Sequence, residues 1–178
     1  MRPELAALAM PHAQLEFSVE PAPMGPRGAD SVTIMLAANP GSDPVPLAKA
    51  ASGGELSRVR LALEVVAAQT QTPQTFVFDE IDSGVGGAVG IEIGRRLRQL
   101  ARRHQVIVVT HLAQVAAFAD THVVITKASD GAVTSSGLRE VIGADREIEL
   151  SRMMSGMVDS ESGHEHAHDL LREVRQRD

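Results

Sequence analysis

The chain has no cysteine among its 178 residues, which excludes disulfide bonds and thiolate chemistry. Tryptophan and tyrosine are absent and phenylalanine occurs only four times, so aromatic platforms for stacking single-stranded nucleic acid are nearly lacking. A formal net charge of -6 argues against autonomous binding to DNA or to an anionic membrane. No apolar run is long enough to span a membrane and no signal peptide is recognisable, so we expect a cytoplasmic location without membrane partners.

The apolar segments of the chain predict an α/β fold. Residues 75–78 and 105–110 are apolar without alternation, which is typical of parallel strands buried on both faces. An amphipathic segment at 90–103 lies between them and predicts a crossover helix, with its arginines on a solvated face. A helix is also predicted at 54–68, with Leu56, Val59, Leu63 and Val66 on its apolar face.

The remaining segments are predicted from alternation and from turn residues. Residues 15–20 and 31–37 alternate and predict an antiparallel hairpin, and the proline-rich residues 21–30 predict its loop. Further strands are predicted at 122–126 and 131–138, and further helices at 112–118, 147–154 and 166–177. A turn containing Gly156 and Gly163 is expected between the last two helices.

Three groups of polar residues stand where α/β proteins bind ligands. Asp79 and Glu80 follow one predicted parallel strand, and His111 follows the next. Ser52 and the glycines after it open a helix, where free N–H groups and the helix dipole favour an anion. Taken singly, each group also fits a solvated turn or an ordinary helix start. Together they fit phosphoryl transfer, which needs a water-activating base and donors to phosphate oxygens.

These motifs resemble those of ABC-type ATPase heads. The matching segments are Ser52-Gly53-Gly54-Glu55 (signature motif), Thr75 to Glu80 (Walker B strand), Ser83 to Gly87 (D-loop) and His111 (H-loop). Transporter subunits usually have proline after the catalytic glutamate, whereas here Ile81 and Asp82 follow Glu80, as in SMC-like proteins. The whole set is similar to the bacterial RecN family of SMC-like proteins, which act in DNA double-strand-break repair.

The resemblance implies a role for each matching residue. It implies ATP and Mg²⁺ as cofactors, with Asp79 holding Mg²⁺ through water, Glu80 activating water and His111 contacting the γ-phosphate. Two heads would form a homodimer that sandwiches ATP, and DNA would associate with the assembled, nucleoid-associated protein. The residues expected to bind the partner's nucleotide are Ser52, Gly53, Gly54 and Glu55, and those expected at the dimer seam are Ser83 and Gly84.

One family motif is missing from the sequence. The phosphate-binding loop needs Gly-x-x-x-x-Gly-Lys-[Ser/Thr], but the two lysines, Lys49 and Lys127, lie in other settings. We therefore expect the C-terminal lobe of a P-loop NTPase-like ABC ATPase head, with a mostly parallel sheet flanked by helices. The N-terminal lobe that carries the Walker A loop would be a separate partner, and this chain alone should be inactive. The expected parts are a hairpin (15–40), a signature, Walker B and H-loop core (50–127), and a C-terminal strand and helices (128–178).

Two other functions remain open alternatives: a non-catalytic dimerisation or regulatory module, and a transporter ATPase subunit. The intact acidic pair and His111 count against the first, and the residues after Glu80 count against the second. Asp82 is open between a turn cap and a functional role. His164 and His168 have a spacing that can bind Zn²⁺ on a helix, but a solvated helix start explains them more simply.

Overall fold

The computed structural model describes residues 1–50, 53–68, 72–129, 134–156 and 161–176. The chain divides into two compact units, one made of residues 1–85 and 99–109 and the other of residues 86–98 and 110–178. None of the helices within the described ranges is long and apolar enough to cross a membrane.

Within the described residues, the first unit contains an antiparallel sheet, a parallel strand pair and three helices. Its elements are α1 (Arg2–Ala7), β1 (Gln14–Gly25), β2 (Gly28–Ala37), β3 (Val45–Pro46), α2 (Leu47–Ala50), α3 (Gly53–Ala67), β4 (Thr75–Phe78) and β5 (Gln105–Val108). The antiparallel sheet has the strand order β1-β2-β3, and β4 pairs in parallel with β5. The predicted antiparallel and parallel pairings are both confirmed.

The predicted loop at 21–30 is wrong. β1 continues to Gly25 and β2 begins at Gly28, so two residues connect them. The register shifts between Pro21 and Gly25, where the strand carries its prolines. β1 is the outer strand of its sheet, and an outer strand tolerates proline because the missing N–H costs no ladder hydrogen bond on the open side.

The hairpin of β1 and β2 leaves much of its apolar surface open. Leu36 is buried at 2% exposure, but Phe17 and Val32 are each 62% exposed and Val19 is 60% exposed. Val19 lies opposite Val32 in the register. The strands and their pairing were therefore predicted correctly, but the alternation did not predict burial, since Phe17 and Val19 are exposed.

The parallel pair β4 and β5 is buried on one face only, so the prediction of strands buried on both faces is wrong. Phe76 and Phe78 are 3% and 1% exposed, whereas Val77 and Ile107 are 52% and 48% exposed. The Phe76 and Phe78 rings lie 6.3 Å apart, and they pack in the core of the unit. The opposite face of the pair carries Val77 and Ile107, and no described part of the chain covers it. Both faces are apolar because the two strands lack alternation, but only one of them is buried.

Helix α3 begins and ends within one residue of its prediction, but its buried face is different. Leu56 and Val66 are 40% and 53% exposed. The residues that α3 buries are Gly54, Arg58, Val59, Leu61, Ala62 and Val65. Of the four predicted apolar positions, only Val59 is among these buried residues. The buried face also includes Arg58, whose guanidinium finds main-chain acceptors there.

The second unit consists of helices and a separate hairpin. Its elements are α4 (Gly87–Ala101, of which the last three residues belong to the first unit), α5 (Ala113–Ala116), β6 (His122–Ser129), β7 (Thr134–Val141), α6 (Gly143–Ser155) and α7 (Glu161–Gln176). Its core is formed by Ala113, Ala116, Ala117, Phe118, Leu150, Ala167, Leu170 and Val174. β6 and β7 pair antiparallel as a two-stranded sheet.

Two predictions for the second unit need correction. Gly156 ends α6 in a left-handed conformation with φ 72°, as a turn requires, but Gly163 lies inside α7 rather than in the turn. Arg96 was expected on a solvated face of α4, yet it is 4% exposed. Its guanidinium forms an ion pair with Glu92 one turn earlier in the helix, which compensates its burial.

Candidate functional site

The end of strand β4 presents two carboxylates. Asp79 and Glu80 follow the strand directly and are exposed, as expected from the sequence. Beside them, the Val109 N–H donates to the Phe78 carbonyl at 3.0 Å and extends the pairing with the β5 side. The Asp79 carboxylate accepts a 2.9 Å hydrogen bond from the Glu80 N–H, which holds this carboxylate against the start of the turn.

Glu80 has an uncommon backbone conformation. Its φ is 55°, in the left-handed region that costs a residue with a side chain about 1–2 kcal/mol. The chain turns at this residue, and the turn is closed by a 3.0 Å hydrogen bond from the Ser83 N–H to the Glu80 carbonyl. Gly84 follows with φ 72°. Glycine would adopt the Glu80 conformation more easily, and such strain is concentrated at functional sites.

The start of α3 lies against this same turn. A Cβ on Gly53 would lie 2.6 Å from Glu80 Oε2. A Cβ on Gly54 would lie 3.0 Å from both the Glu80 and the Ser83 carbonyl oxygens. Only glycine permits these approaches without displacing a neighbour. The structure therefore brings together Gly53, Gly54, Glu80 and Ser83, four of the residues predicted to form sites.

Other predicted site residues are placed as follows. Glu55 is half-buried in the first turn of α3, whereas Ser52 lies outside the described residues. His111 is exposed and belongs to the second unit. It lies in the short segment between the end of β5 and the start of α5. In the same segment, Thr110 Oγ1 accepts a 3.1 Å hydrogen bond from the Leu112 N–H. A shared site for His111 and the acidic pair stays a prediction.

The acidic residues suit a metal that arrives with phosphates. Within the described ranges, no group of three or more histidine, aspartate or glutamate side chains could hold a metal ion by itself, and this includes His164 and His168. Mg²⁺ needs only one or two carboxylates when phosphate oxygens and water complete its shell. The exposed Asp79 carboxylate fits that requirement.

Sequence reasoning missed a set of donors on α3. Ser57 Oγ donates to the Asp79 carbonyl at 2.9 Å, and Arg58 Nη1 donates to the Ser83 carbonyl at 3.0 Å. Arg60 Nη1 donates to the Val77 carbonyl at 3.4 Å, and its guanidinium lies 5.5 Å from the centre of the Phe78 ring. The available signal was the helical spacing of Gly54, Arg58 and Leu61, which puts the arginine on the buried side.

Known proteins resemble this chain over most of its length. No protein-family model matches the chain. The chain is 51% identical to the DNA repair protein RecN of Streptomyces coelicolor across 97% of its own length. It is homologous to RecN. It is also 55% identical to RecN of Mycobacterium leprae across 85% of its length. This RecN-like chain spans only 32% and 25% of those two relatives, respectively.

Solved structures confirm the expected fold class. The Smc head domain with a coiled coil and joint from Pyrococcus yayanosii matches with a TM-score of 0.60 and 22% identity, over 86% of this chain and 28% of that chain. An SmcHead bound to the C-winged helix domain of ScpA matches with a TM-score of 0.51 and 22% identity, over 79% of this chain and 41% of that chain. At these identities the likeness concerns the fold alone, which is that of Smc head domains.

Proposed function

We propose that this chain is the C-terminal lobe of an ATP-binding and ATP-hydrolysing head in a RecN-like protein that acts in recombinational repair of DNA double-strand breaks. The observation that carries the proposal is the contact of the α3 start with the turn after β4. This contact joins the glycines of a predicted anion site to the predicted catalytic Glu80. Homology to RecN favours a repair protein over a transporter subunit.

Each exposed polar group has a defined task in this proposal. Asp79 would hold the Mg²⁺ that accompanies ATP, through water, and the ion would supply charge neutralisation for the phosphates. The Glu80 carboxylate orients the attacking water and accepts its proton. His111 donates to the γ-phosphate. The strained Glu80 backbone supports this assignment, because strained residues cluster at functional sites.

The start of α3 would act on a second subunit. The first N–H groups of a helix have no partners within the helix, and the helix dipole favours an anion at that end. The residues that would bind the nucleotide held by the partner head are Ser52, Gly53, Gly54 and Glu55. Ser83 and Gly84 would then lie at the seam of a homodimer that sandwiches ATP.

Two exposed apolar strand faces support the proposal that a further lobe packs against this chain. Val77 is 52% exposed on the parallel pair, and Phe17 is 62% exposed on the hairpin. Apolar strand faces of this kind are normally covered by another layer. We propose that an N-terminal lobe with the Walker A loop covers them, since the matched relatives are about three times as long as this chain. DNA would bind the assembled protein, because the net charge of -6 disfavours binding by this chain alone.

The test is ATP hydrolysis by the complete protein with and without Glu80. Glu80→Gln should lower kcat by about 10²-fold or more while ATP still binds and still drives dimerisation. Glu16→Gln, an equivalent change at an exposed position of β1, is the matched control and should leave kcat unchanged. Undiminished hydrolysis in Glu80→Gln would instead support the non-catalytic module.

The isolated chain provides a second test. Alone, it should show no hydrolysis above background, because it lacks the lysine and N–H groups of a phosphate-binding loop. Mixing it with the N-terminal lobe, ATP and Mg²⁺ should restore hydrolysis that depends on Glu80. Glu80-dependent turnover by the chain alone would contradict the division of the site between two lobes.

A further inference from the structure

The outer edge of β4 is contacted by side chains of α3. Carbonyls along a strand alternate in direction, and the Phe78 carbonyl accepts from Val109 on the β5 side. The carbonyls of Val77 and Asp79 therefore point to the other side. These two accept from Arg60 Nη1 at 3.4 Å and from Ser57 Oγ at 2.9 Å. Helix α3 thus provides donors where β4 has no neighbouring strand in the described chain.

Arg58 continues this set of donors into the turn after the strand. Its Nη1 donates to the Ser83 carbonyl at 3.0 Å and lies 3.5 Å from the Ile81 carbonyl. The side chain is only 6% exposed. Burial lowers the pKa of Arg58, and the nearby Glu55 carboxylate partly opposes this effect. A buried guanidinium is costly unless it is hydrogen-bonded, and its two carbonyl contacts together with the Glu55 carboxylate offset part of that cost.

Arg58 and Gly54 act on the same turn from the same side of α3. They are four residues apart, so they occupy neighbouring positions on one helix face. Gly54 lies so close to the turn that a Cβ would be 2.9 Å from the Ser83 Cβ, and Arg58 is hydrogen-bonded to the Ser83 carbonyl. The start of α3 and the turn at 80–83 are therefore held together by close packing and by a partly buried charge-assisted hydrogen bond.

We propose that Arg58 is a positioning residue that couples the start of α3 to the turn bearing Glu80. The start of α3 would bind the partner's nucleotide, whereas Glu80 would act on the nucleotide bound by its own chain. The inference rests on the proposed function, because it requires a dimer with two ATP sites in which each chain contributes residues to both. Movement of one motif on nucleotide binding would be transmitted to the other through the bonds from Arg58 to the turn. One chain would thereby contribute to both sites as a single body.

The chain offers matched variants for a test in the complete protein. Arg58→Met keeps a long aliphatic side chain but removes the donors. Arg58→Lys keeps the charge, but the lysine side chain is shorter and does not carry a nitrogen to the position of Nη1, the atom that makes both carbonyl contacts. Arg60→Met is the control, since it removes the same charge from the same helix at an exposed position that contacts β4 rather than the turn.

The measurements are kcat, KM and the Kd of a non-hydrolysable ATP analogue, with thermal unfolding recorded for every variant. Displacing a catalytic group by about 1 Å can cost about 10²-fold in rate, so we expect Arg58→Met to lower kcat by at least about 10-fold. The Kd of the analogue should stay within about twofold, and Arg58→Lys should also lower kcat. Wild-type kcat in Arg58→Lys overturns the proposal, even if Arg58→Met fails to fold. Equal losses in Arg60→Met would overturn it too.

Mixed dimers distinguish coupling, in which one altered subunit impairs both ATP sites, from a defect confined to one site. A dimer of one wild-type and one Arg58→Met subunit should retain well under half of the wild-type kcat, because the altered subunit contributes to both sites. Retention of half or more would overturn the coupling. Glu80→Gln is measured in the same assay. Undiminished turnover in Glu80→Gln would refute the proposed function itself. Loss of turnover in Glu80→Gln together with a wild-type kcat in Arg58→Lys would refute only the coupling.

Discussion

Replacing Gly54 with alanine should destabilise the chain, whereas the same replacement at Gly53 should not. The added methyl on Gly54 would lie 2.9 Å from the Ser83 Cβ and 3.0 Å from the carbonyl oxygens of Glu80 and Ser83. Two of these neighbours are main-chain atoms, so relief requires the helix or the turn to move. On Gly53 the methyl would meet only the end of the Glu80 side chain, at 2.6 Å from Oε2, and that exposed carboxylate can rotate away.

The size of the difference follows from these contacts. Overpacking at a site that cannot yield costs about 1–3 kcal/mol, whereas alanine in place of helical glycine gains about 0.5–1 kcal/mol. Both replacements are glycine to alanine in one helical turn, so the helix gain largely cancels between them. Gly54→Ala should therefore be less stable than Gly53→Ala by about 1–3 kcal/mol. For a domain of this length, that corresponds to a melting temperature lower by about 2–12 °C.

The assay is urea unfolding of the isolated chain, followed by far-ultraviolet circular dichroism. The two variants should differ in midpoint while the slope of the transition stays the same, which indicates a change in stability alone. Ser83→Gly in the Gly54→Ala background should recover part of the loss, since it removes the Cβ but leaves the carbonyl. A Gly54→Ala midpoint at or above that of Gly53→Ala would refute the close approach of α3 to the turn.

Two further predictions concern the second unit. Gly94→Ala should cost about 1–3 kcal/mol in urea unfolding, because its methyl would overlap the buried Phe118 ring; the cost should shrink in a Phe118→Leu background, and an equal cost in both would contradict this packing. The half-buried His122 has its pKa lowered by burial first and by Arg146 second, with Glu149 opposing. The unfolded chain then binds more protons, so the free energy of unfolding should fall as the pH drops through the ordinary histidine value of 6.5. His122→Gln should flatten this pH dependence between about pH 7 and pH 5, and an unchanged slope would show that other groups cause it.

The elements that the sequence predicted well are those whose signal is local. Helix α3 was predicted within one residue at each end because Ser52 and two glycines precede a helical apolar pattern. Strands β4 and β5 were predicted as a parallel pair because a helical segment of crossover length separates two apolar runs. The proline-rich part of β1 was misread because proline disfavours a strand locally, and only the position at the sheet edge makes it acceptable.

The candidate site was predicted as a set of residue types rather than as a geometry. Asp79, Glu80 and the signature glycines are recognisable from their order and from the strand and helix ends that they occupy. The contact between Gly54 and Ser83 joins residues far apart in sequence, so no local pattern reports it. Arg58 was hidden for the same reason: an arginine in a helix is normally solvent-exposed, and here the main-chain carbonyls that accept its hydrogen bonds come from a distant turn.

By itself, the sequence determined most element types, the pairings of β1 with β2 and of β4 with β5, the polar residues at strand and helix ends, and the likeness to an ATPase head. It could do so because periodicity, turn chemistry and short motifs are properties of neighbouring residues. The tertiary structure alone decided which faces are buried, that Glu80 takes a left-handed conformation, and that α3 holds the turn after β4. These features depend on burial and on hydrogen bonds between segments far apart in the chain, and such interactions exist only once the segments have packed together.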